Sequence, residues 1–242
     1  MTPETALHTP SVGKNRGSTR RAIQYVDFIM KLHKSTPRNY LARVMEHDKA
    51  ACAEVAIQYG QEYWDGDRKF GYGGYRYDGR WRPVAEAMAQ HYQLKPGDRI
   101  LDVGCGKGFL LYEFTQVVPG VHVAGIDLSS YGIEHAKEEV KPYLQVSNAT
   151  KLPYETASFD FVYSITTFHN LYNYELRSAA QEVERVGKEH KHITVESYRT
   201  EREKANLLYW QLTCRSFYTP KEWAWFLADS GYTGDYGCIY FE

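Results

Sequence analysis

The chain alternates short apolar runs with stretches of helical spacing through most of its length. Pro83 to Tyr92 reads as a helix, with proline at its start and Val84, Ala87 and Met88 on one side. Arg99 to Val103 is β-rich and bounded by Pro96-Gly97 and Gly104, which predicts a buried strand. Phe109 to Gln116 then continues as helix, and Val121 to Ile126 as a second strand. Ser129 is placed to cap a helix reaching about Val140, and Tyr143 to Val146 is a third, short strand. Ser158 to Ser164 gives a fourth strand and His192 to Glu196 a fifth. Between them Glu175 to Gly187 carries Leu176, Ala179, Ala180, Val183 and Val186 at helical spacing. Arg199 to Phe217, charged first and aromatic later, predicts a partly helical excursion over the site. Thr219-Pro220 caps a helix over Lys221 to Asp229, stopped by Gly231, and Tyr232 to Phe241 leaves room for one strand or two very short ones. Strands alternating with helices in this way predict a parallel sheet covered on both faces.

The flanking segments read differently. Residues 1–20, rich in Thr, Pro, Ser, Gly and Lys, carry no apolar period and predict a flexible tail. Ile23, Val26, Ile29 and Met30 predict a short helix over Arg21 to His33, and a second is expected from about Arg38 to Tyr59. From Tyr59 to Trp81, glycines rule out a regular element, yet the stretch holds seven aromatic residues between Tyr63 and Trp81. The expected organisation is therefore a tail (1–20), N-terminal helices with an aromatic cap (21–82) and an α/β domain (83–242).

Composition narrows the partners. A net charge of −1 disfavours nucleic acid as substrate. The 21 tyrosines in 242 residues suggest an aromatic-lined pocket as well as a core. Cys52, Cys105, Cys214 and Cys238 have neither metal nor disulfide spacing, which points to reduced thiols in a cytoplasmic protein. No apolar run reaches membrane-spanning length, and no signal-peptide core is visible near the N-terminus. The N-terminal helices suit packing in cis or a dimer contact, so monomer and homodimer both stay open.

The most specific stretch follows the first strand. Asp102-Val103-Gly104-Cys105-Gly106-Lys107-Gly108 reads D-x-G-x-G-x-G, a turn of bare backbone leading into a helix N-terminus, where a carboxylate or phosphate is well received. The dinucleotide fingerprint fails because its third glycine falls on Phe109, and the P-loop fails for want of a Lys-Ser/Thr pair. Asp127 stands about 20 residues beyond the loop, at the end of the second strand, where α/β nucleotide folds hold ribose hydroxyls. Asn148-Ala149 follows the third strand, Leu152-Pro153 comes soon after, and Ser158-Phe159-Asp160 opens the fourth. With these motifs in order over roughly residues 97 to 165, the chain resembles the class I S-adenosylmethionine (SAM)-dependent methyltransferases.

The resemblance implies a Rossmann-like three-layer αβα sandwich with a mostly parallel central sheet, ending in an antiparallel hairpin that this chain abbreviates. It implies SAM as cofactor and S-adenosylhomocysteine as product. The cofactor residues it implies are Asp102, Gly104, Cys105 and Gly106 in the loop, Asp127 and Leu128 after the second strand, and Asn148, Ala149 and Thr150 after the third. Ser164 from the fourth strand, and Tyr72 and Arg80 from the aromatic cap, complete that set. The family's segment ahead of the first strand closes over the cofactor, so Tyr72, Tyr75, Tyr77, Arg80 and Trp81 are expected near the acceptor.

Candidate catalytic residues are His169, Tyr75 and Glu196. His169, after the fourth strand, is of the residue type that takes a proton near neutral pH and is the candidate general base, and Glu196 ends the fifth strand, facing the same site. Methyl transfer needs alignment more than a nucleophile. The Asn/Asp-Pro-Pro-Tyr loop used on amide or adenine nitrogens is absent, since Ser164-Ile165-Thr166-Thr167 stands there. No cysteine is placed to attack a cytosine, Cys105 lying inside the glycine loop. The expected activity is methyl transfer to N or O of a small molecule. The alternatives are a protein or nucleic-acid methyltransferase and a non-catalytic SAM-binding partner protein.

Overall fold

The computed structural model describes residues 23–242. The tail expected over residues 1–20 lies outside them, as do Arg21 and Ala22 of the first expected helix. Six strands make one sheet: β1 (Arg99–Val103), β2 (His122–Asp127), β3 (Leu144–Val146), β4 (Phe159–Ile165), β5 (Gly187–Ser197) and β6 (Asp235–Tyr240). Their order is β3-β2-β1-β4-β5-β6, and every neighbouring pair is parallel. Four short helices lead in: α1 (Met30–Lys34), α2 (Tyr40–Met45), α3 (Lys49–Ala56) and α4 (Gln61–Trp64). They are followed by α5 (Arg82–His91), α6 (Phe109–Val117), α7 (Ser130–Glu134), α8 (Asn173–Val186), α9 (Glu201–Trp210) and α10 (Pro220–Asp229).

This is the expected Rossmann-like αβα sandwich. Successive strand residues point to opposite faces, so each strand feeds two cores. Ile100, Phe161 and Tyr163 pack under α5 and α6 with Met88, Leu111 and Phe114. Leu101, Val103, Val162 and Ile193 pack under α8 and α10 with Leu176, Ala180 and Trp223. Burial on both faces explains why the central strands read as apolar runs and not as alternating patterns. The strand order reverses between β1 and β4, and the crevice beyond their carboxyl ends is where such sheets bind ligands.

Five expectations are corrected, the first being that the stretch from Tyr59 to Trp81 holds no regular element: α4 forms at its start, ahead of most of the glycines. The helix expected from Arg21 begins only at Met30. Gln24 to Val26 are instead extended along β6, with Val26 N–H on the Tyr236 carbonyl (2.8 Å) and Tyr236 N–H on that of Gln24 (2.9 Å). The single helix expected over residues 38–59 is two, α2 and α3, because the Asp48 carboxylate caps a fresh start on the N–H groups of Ala50 and Ala51 (2.9 and 3.2 Å). The helix after Ser129 stops at Glu134, and Lys137 N–H is drawn to the Lys107 carbonyl of the glycine loop (2.9 Å). The C-terminal segment is one strand, β6, parallel to β5, and the described residues contain no antiparallel hairpin there. No helix among the described residues is long and apolar enough to cross a membrane.

Candidate functional site

The glycine loop is held from both sides of its turn. Gly104 has a positive φ of 93°, and a Cβ there would run into Thr167, with Cγ2 2.5 Å away and Oγ1 nearer still. The N–H groups of Gly104 and Cys105 both reach the Ile126 carbonyl (2.7 and 2.9 Å). Asp127 accepts from Gly106 N–H at 2.7 Å and Ser129 N–H at 2.8 Å, so its carboxylate is locked at the end of β2. Burial raises the Asp127 carboxyl above the usual range, and those backbone donors oppose the rise. Asp102 lies beneath the loop, 5% exposed, with its Oδ1 unpartnered; burial drives its carboxyl well up, towards the neutral form.

Beyond the loop lies a cavity of about 210 Å³. Six of the expected cofactor residues line it: Gly104, Asp127, Leu128, Asn148, Ala149 and Tyr72. The other six do not. Asp102 is buried beneath the loop and Cys105 within it, and Gly106 is covered by Trp64, whose Cη2 would lie 2.7 Å from a Cβ there. Thr150 gives its N–H to Asn148 Oδ1 (2.9 Å), and Ser164 is fully buried, donating to the Val103 carbonyl (2.7 Å). Arg80 lines a second cavity and is paired with Asp78 (2.7 Å). Tyr59, Tyr63, Thr166, Thr167 and Glu175, none of them among the expected cofactor or catalytic residues, also line the smaller cavity.

The aromatic segment is tied down over this site. Trp64 donates from its indole to Ser129 Oγ (2.8 Å) and the Tyr59 carbonyl (3.1 Å). Buried Lys107 forms an ion pair with Asp65 (2.7 Å) and donates to the Tyr75 carbonyl (2.9 Å), while the Tyr131 hydroxyl donates to the same carboxylate (2.9 Å). A charged residue inside a glycine loop was the available signal for this clamp. Tyr75 stacks on Phe109 at 4.9 Å and its hydroxyl accepts from the Trp81 indole (3.0 Å). Tyr77 turns away to Glu113 (2.7 Å) and lines neither cavity.

The second cavity, about 350 Å³, adjoins the first: Tyr63, Tyr72 and Thr166 line both. Thr166 sits at the end of β4 with a positive φ of 54°, a strained conformation for a β-branched residue. Glu196, Tyr75, Arg80 and Trp81 line the larger cavity, whereas His169 lines neither. His169 is buried behind Glu196, with its Nε2 3.3 Å from Glu196 Oε2 and its Nδ1 accepting the Glu196 N–H (3.2 Å). That bond assigns the ring proton to Nε2. Burial lowers the His169 value to about 3, so the ring is neutral at physiological pH. Burial raises Glu196 to about 8, against opposing contributions from Arg38 and a hydrogen bond from Gln211. Of the two, Glu196 is the group that exchanges a proton near neutral pH while facing a cavity.

Comparison with known proteins agrees with this geometry. The family described as "Methyltransferase domain" matches residues 94–231. A demethylmenaquinone methyltransferase of Symbiobacterium thermophilum is 37% identical over 92 residues, covering 35% of this chain and 37% of that one. A 27-O-demethylrifamycin SV methyltransferase of Amycolatopsis mediterranei is 30% identical over 95 residues, 36% of this chain and 35% of its own. The chain thus spans little more than a third of either relative. A protein solved in complex with the Haloferax volcanii Trm112 methyltransferase activator has the same fold with a TM-score of 0.51 at 20% identity, over 64% of this chain and 73% of that one.

Proposed function

The chain belongs to the class I SAM-dependent methyltransferases, and from that premise we propose that it methylates an oxygen or nitrogen of a small molecule held in the larger cavity. The observation that carries the reading is the pair of adjoining cavities sharing Tyr63, Tyr72 and Thr166 at the carboxyl ends of β1 and β4. The donor set of the smaller cavity suits SAM. Asp127 accepts from ribose hydroxyls, Asn148 retains acceptor capacity for the adenine amine, and Leu128 and Leu171 offer apolar contact. Tyr63, Trp64 and Tyr72 give the cavity an aromatic wall suited to a sulfonium by cation–π attraction, with Asp127 and Glu175 adding negative charge. The bound cofactor supplies an electrophilic methyl group for in-line displacement.

The protein's part is alignment, dryness and removal of one proton. The aromatic cap excludes water, and the Lys107–Asp65 clamp keeps it shut. Glu196 serves as general base for the acceptor O–H or N–H, its value near 8 being close to the working pH. His169, which accepts the Glu196 N–H and sets its Nε2 3.3 Å from Glu196 Oε2, holds the strand end that carries the carboxyl, and Tyr75 forms part of the wall. The two relatives above are named for demethylmenaquinone and 27-O-demethylrifamycin SV, and such acceptors support the small-molecule reading. The test is transfer of labelled methyl from SAM into a cell extract separated by size. Label in the small-molecule fraction is expected; label confined to macromolecules refutes the acceptor class.

A further inference from the structure

The larger cavity carries a charge pattern that methyl transfer as such does not require. Arg38, Arg43 and Arg68 lie far apart in sequence, yet their guanidinium carbons gather around one indole, at 5.5, 4.8 and 5.1 Å from the Trp210 ring centre. All three line the cavity. Their hydrogen bonds go to neutral acceptors. Arg38 donates to the carbonyls of His33 (2.9 Å) and Thr36 (3.0 Å), and Arg43 to those of Trp210 (3.1 Å) and Arg68 (2.8 Å). Arg68 donates to the Gly71 carbonyl (2.5 Å). Arg38 Nε is buried without any partner.

No described carboxylate forms an ion pair with any of the three, and Glu196 is the one acid among the described residues lining this cavity. Burial first, and for Arg38 and Arg43 the neighbouring Arg68 charge as well, lowers the arginine values, against smaller opposing contributions that for Arg38 include Tyr40 and Glu196. Since Glu196 holds its proton to about pH 8, it leaves the cluster unneutralised at pH 7. Guanidinium groups stacked on an indole are fixed in direction and weakly hydrated, which suits carboxylate or phosphate oxygens.

We propose that Arg38, Arg43 and Arg68, gathered on Trp210, form an anion subsite that holds a carboxylate or phosphate of the methyl acceptor. The proposal rests on the methyltransferase reading of the adjoining cavities and narrows it to an anionic acceptor. The acceptor would lie with its charged end at Trp210 and its reactive O–H or N–H towards Glu196 and Thr166. None of the three arginines lines the smaller cavity, so the subsite is separate from the cofactor residues.

The test is calorimetric titration of the full chain with inorganic phosphate and, separately, with acetate, at ionic strength held constant with sodium chloride. Saturable binding of at least one is expected, and which binds better tells phosphate from carboxylate. Arg43→Gln and Arg68→Gln are each expected to weaken it by about tenfold or more. Arg43→Lys, which keeps the charge, is expected to retain part of the affinity. S-adenosylhomocysteine should bind all variants as it binds the wild type. Failure of both anions to saturate the wild type, or unchanged binding in both glutamine variants, overturns the subsite. A parallel fall in S-adenosylhomocysteine affinity overturns it too, by assigning the cluster to the cofactor's own carboxylate. If the wild type binds anion but not S-adenosylhomocysteine, the methyltransferase-site reading fails, and the acceptor assignment fails with it.

Discussion

Replacing Glu196 with glutamine separates the role of this residue from its cost to the fold. The carboxyl titrates at about 8 in the folded chain against an ordinary value of 4.5, because burial removes it from water. The folded state therefore holds the proton more tightly than the unfolded one. Stability from this group is fully present below about pH 4.5 and is lost as pH rises towards 8. At about 1.4 kcal/mol per pKa unit, the penalty is under ~1 kcal/mol at pH 5, about 3 kcal/mol at pH 7 and between about 4 and 5 kcal/mol at pH 8.5. The amide of Glu196→Gln does not titrate, so the variant escapes this penalty. Its own cost beside His169 and Gln211 is the same at every pH, which makes the slope the quantity to read. Urea unfolding of both proteins at pH 5, 7 and 8.5 is expected to show the variant gaining about 4 kcal/mol relative to wild type across that range. Methyl transfer should fall by about 10²-fold or more, the usual contribution of a general base. A stability difference that does not change with pH would refute the buried, proton-holding carboxyl, and an unchanged rate would remove Glu196 as base.

Further outcomes follow from the same geometry. Gly104→Ala forces a positive φ on a residue with a Cβ and overlaps Thr167, costing about 2–5 kcal/mol by denaturant unfolding, with loss of S-adenosylhomocysteine binding. Adding Thr167→Gly should recover only the steric share. Asp127→Asn should weaken S-adenosylhomocysteine by roughly 10–100-fold in calorimetry, because the charged acceptor and the order of Gly106 and Ser129 are both lost. Lys107→Met breaks the pair with Asp65, and limited proteolysis should then cut within residues 59–81 at rates the wild type does not show. His169→Ala should slow turnover less than Glu196→Gln and shift the pH–rate profile; an unshifted profile with a rate as low as that of Glu196→Gln would reverse the two assignments.

The sheet and the glycine loop were legible in the sequence because their signals are local. A strand buried on both faces is an apolar run, and Gly104 announces its own backbone requirement. The first helix misled because Ile23, Val26 and Ile29 have helical spacing, but the competing partner, Tyr236, lies over 200 residues away. Asp127 and Asn148 stand at strand ends and could be found by counting, whereas Ser164 and Thr150 have matching positions but spend their hydrogen bonds on the backbone. His169 drew attention by its titration range, and only burial, invisible in sequence, lowers it below use. The arginine cluster was illegible for a different reason. Its members and Trp210 span residues 38 to 210, and no short-range pattern links them.

The bridge between Tyr25 and Tyr236 bears on how this molecule avoids its own kind. A parallel sheet ends in strands whose outer N–H and C=O groups will accept any extended chain that arrives. At the β6 flank that place is taken by Gln24 to Val26, with Tyr25 set edge-on against the Tyr236 ring at 5.5 Å. The polypeptide thus covers this flank with an extended segment of its own, over 200 residues away in sequence. Cleavage ahead of Asp27 would uncover a growth point, and the expected result is association through the sheet flank, even though every residue lining the two cavities would remain.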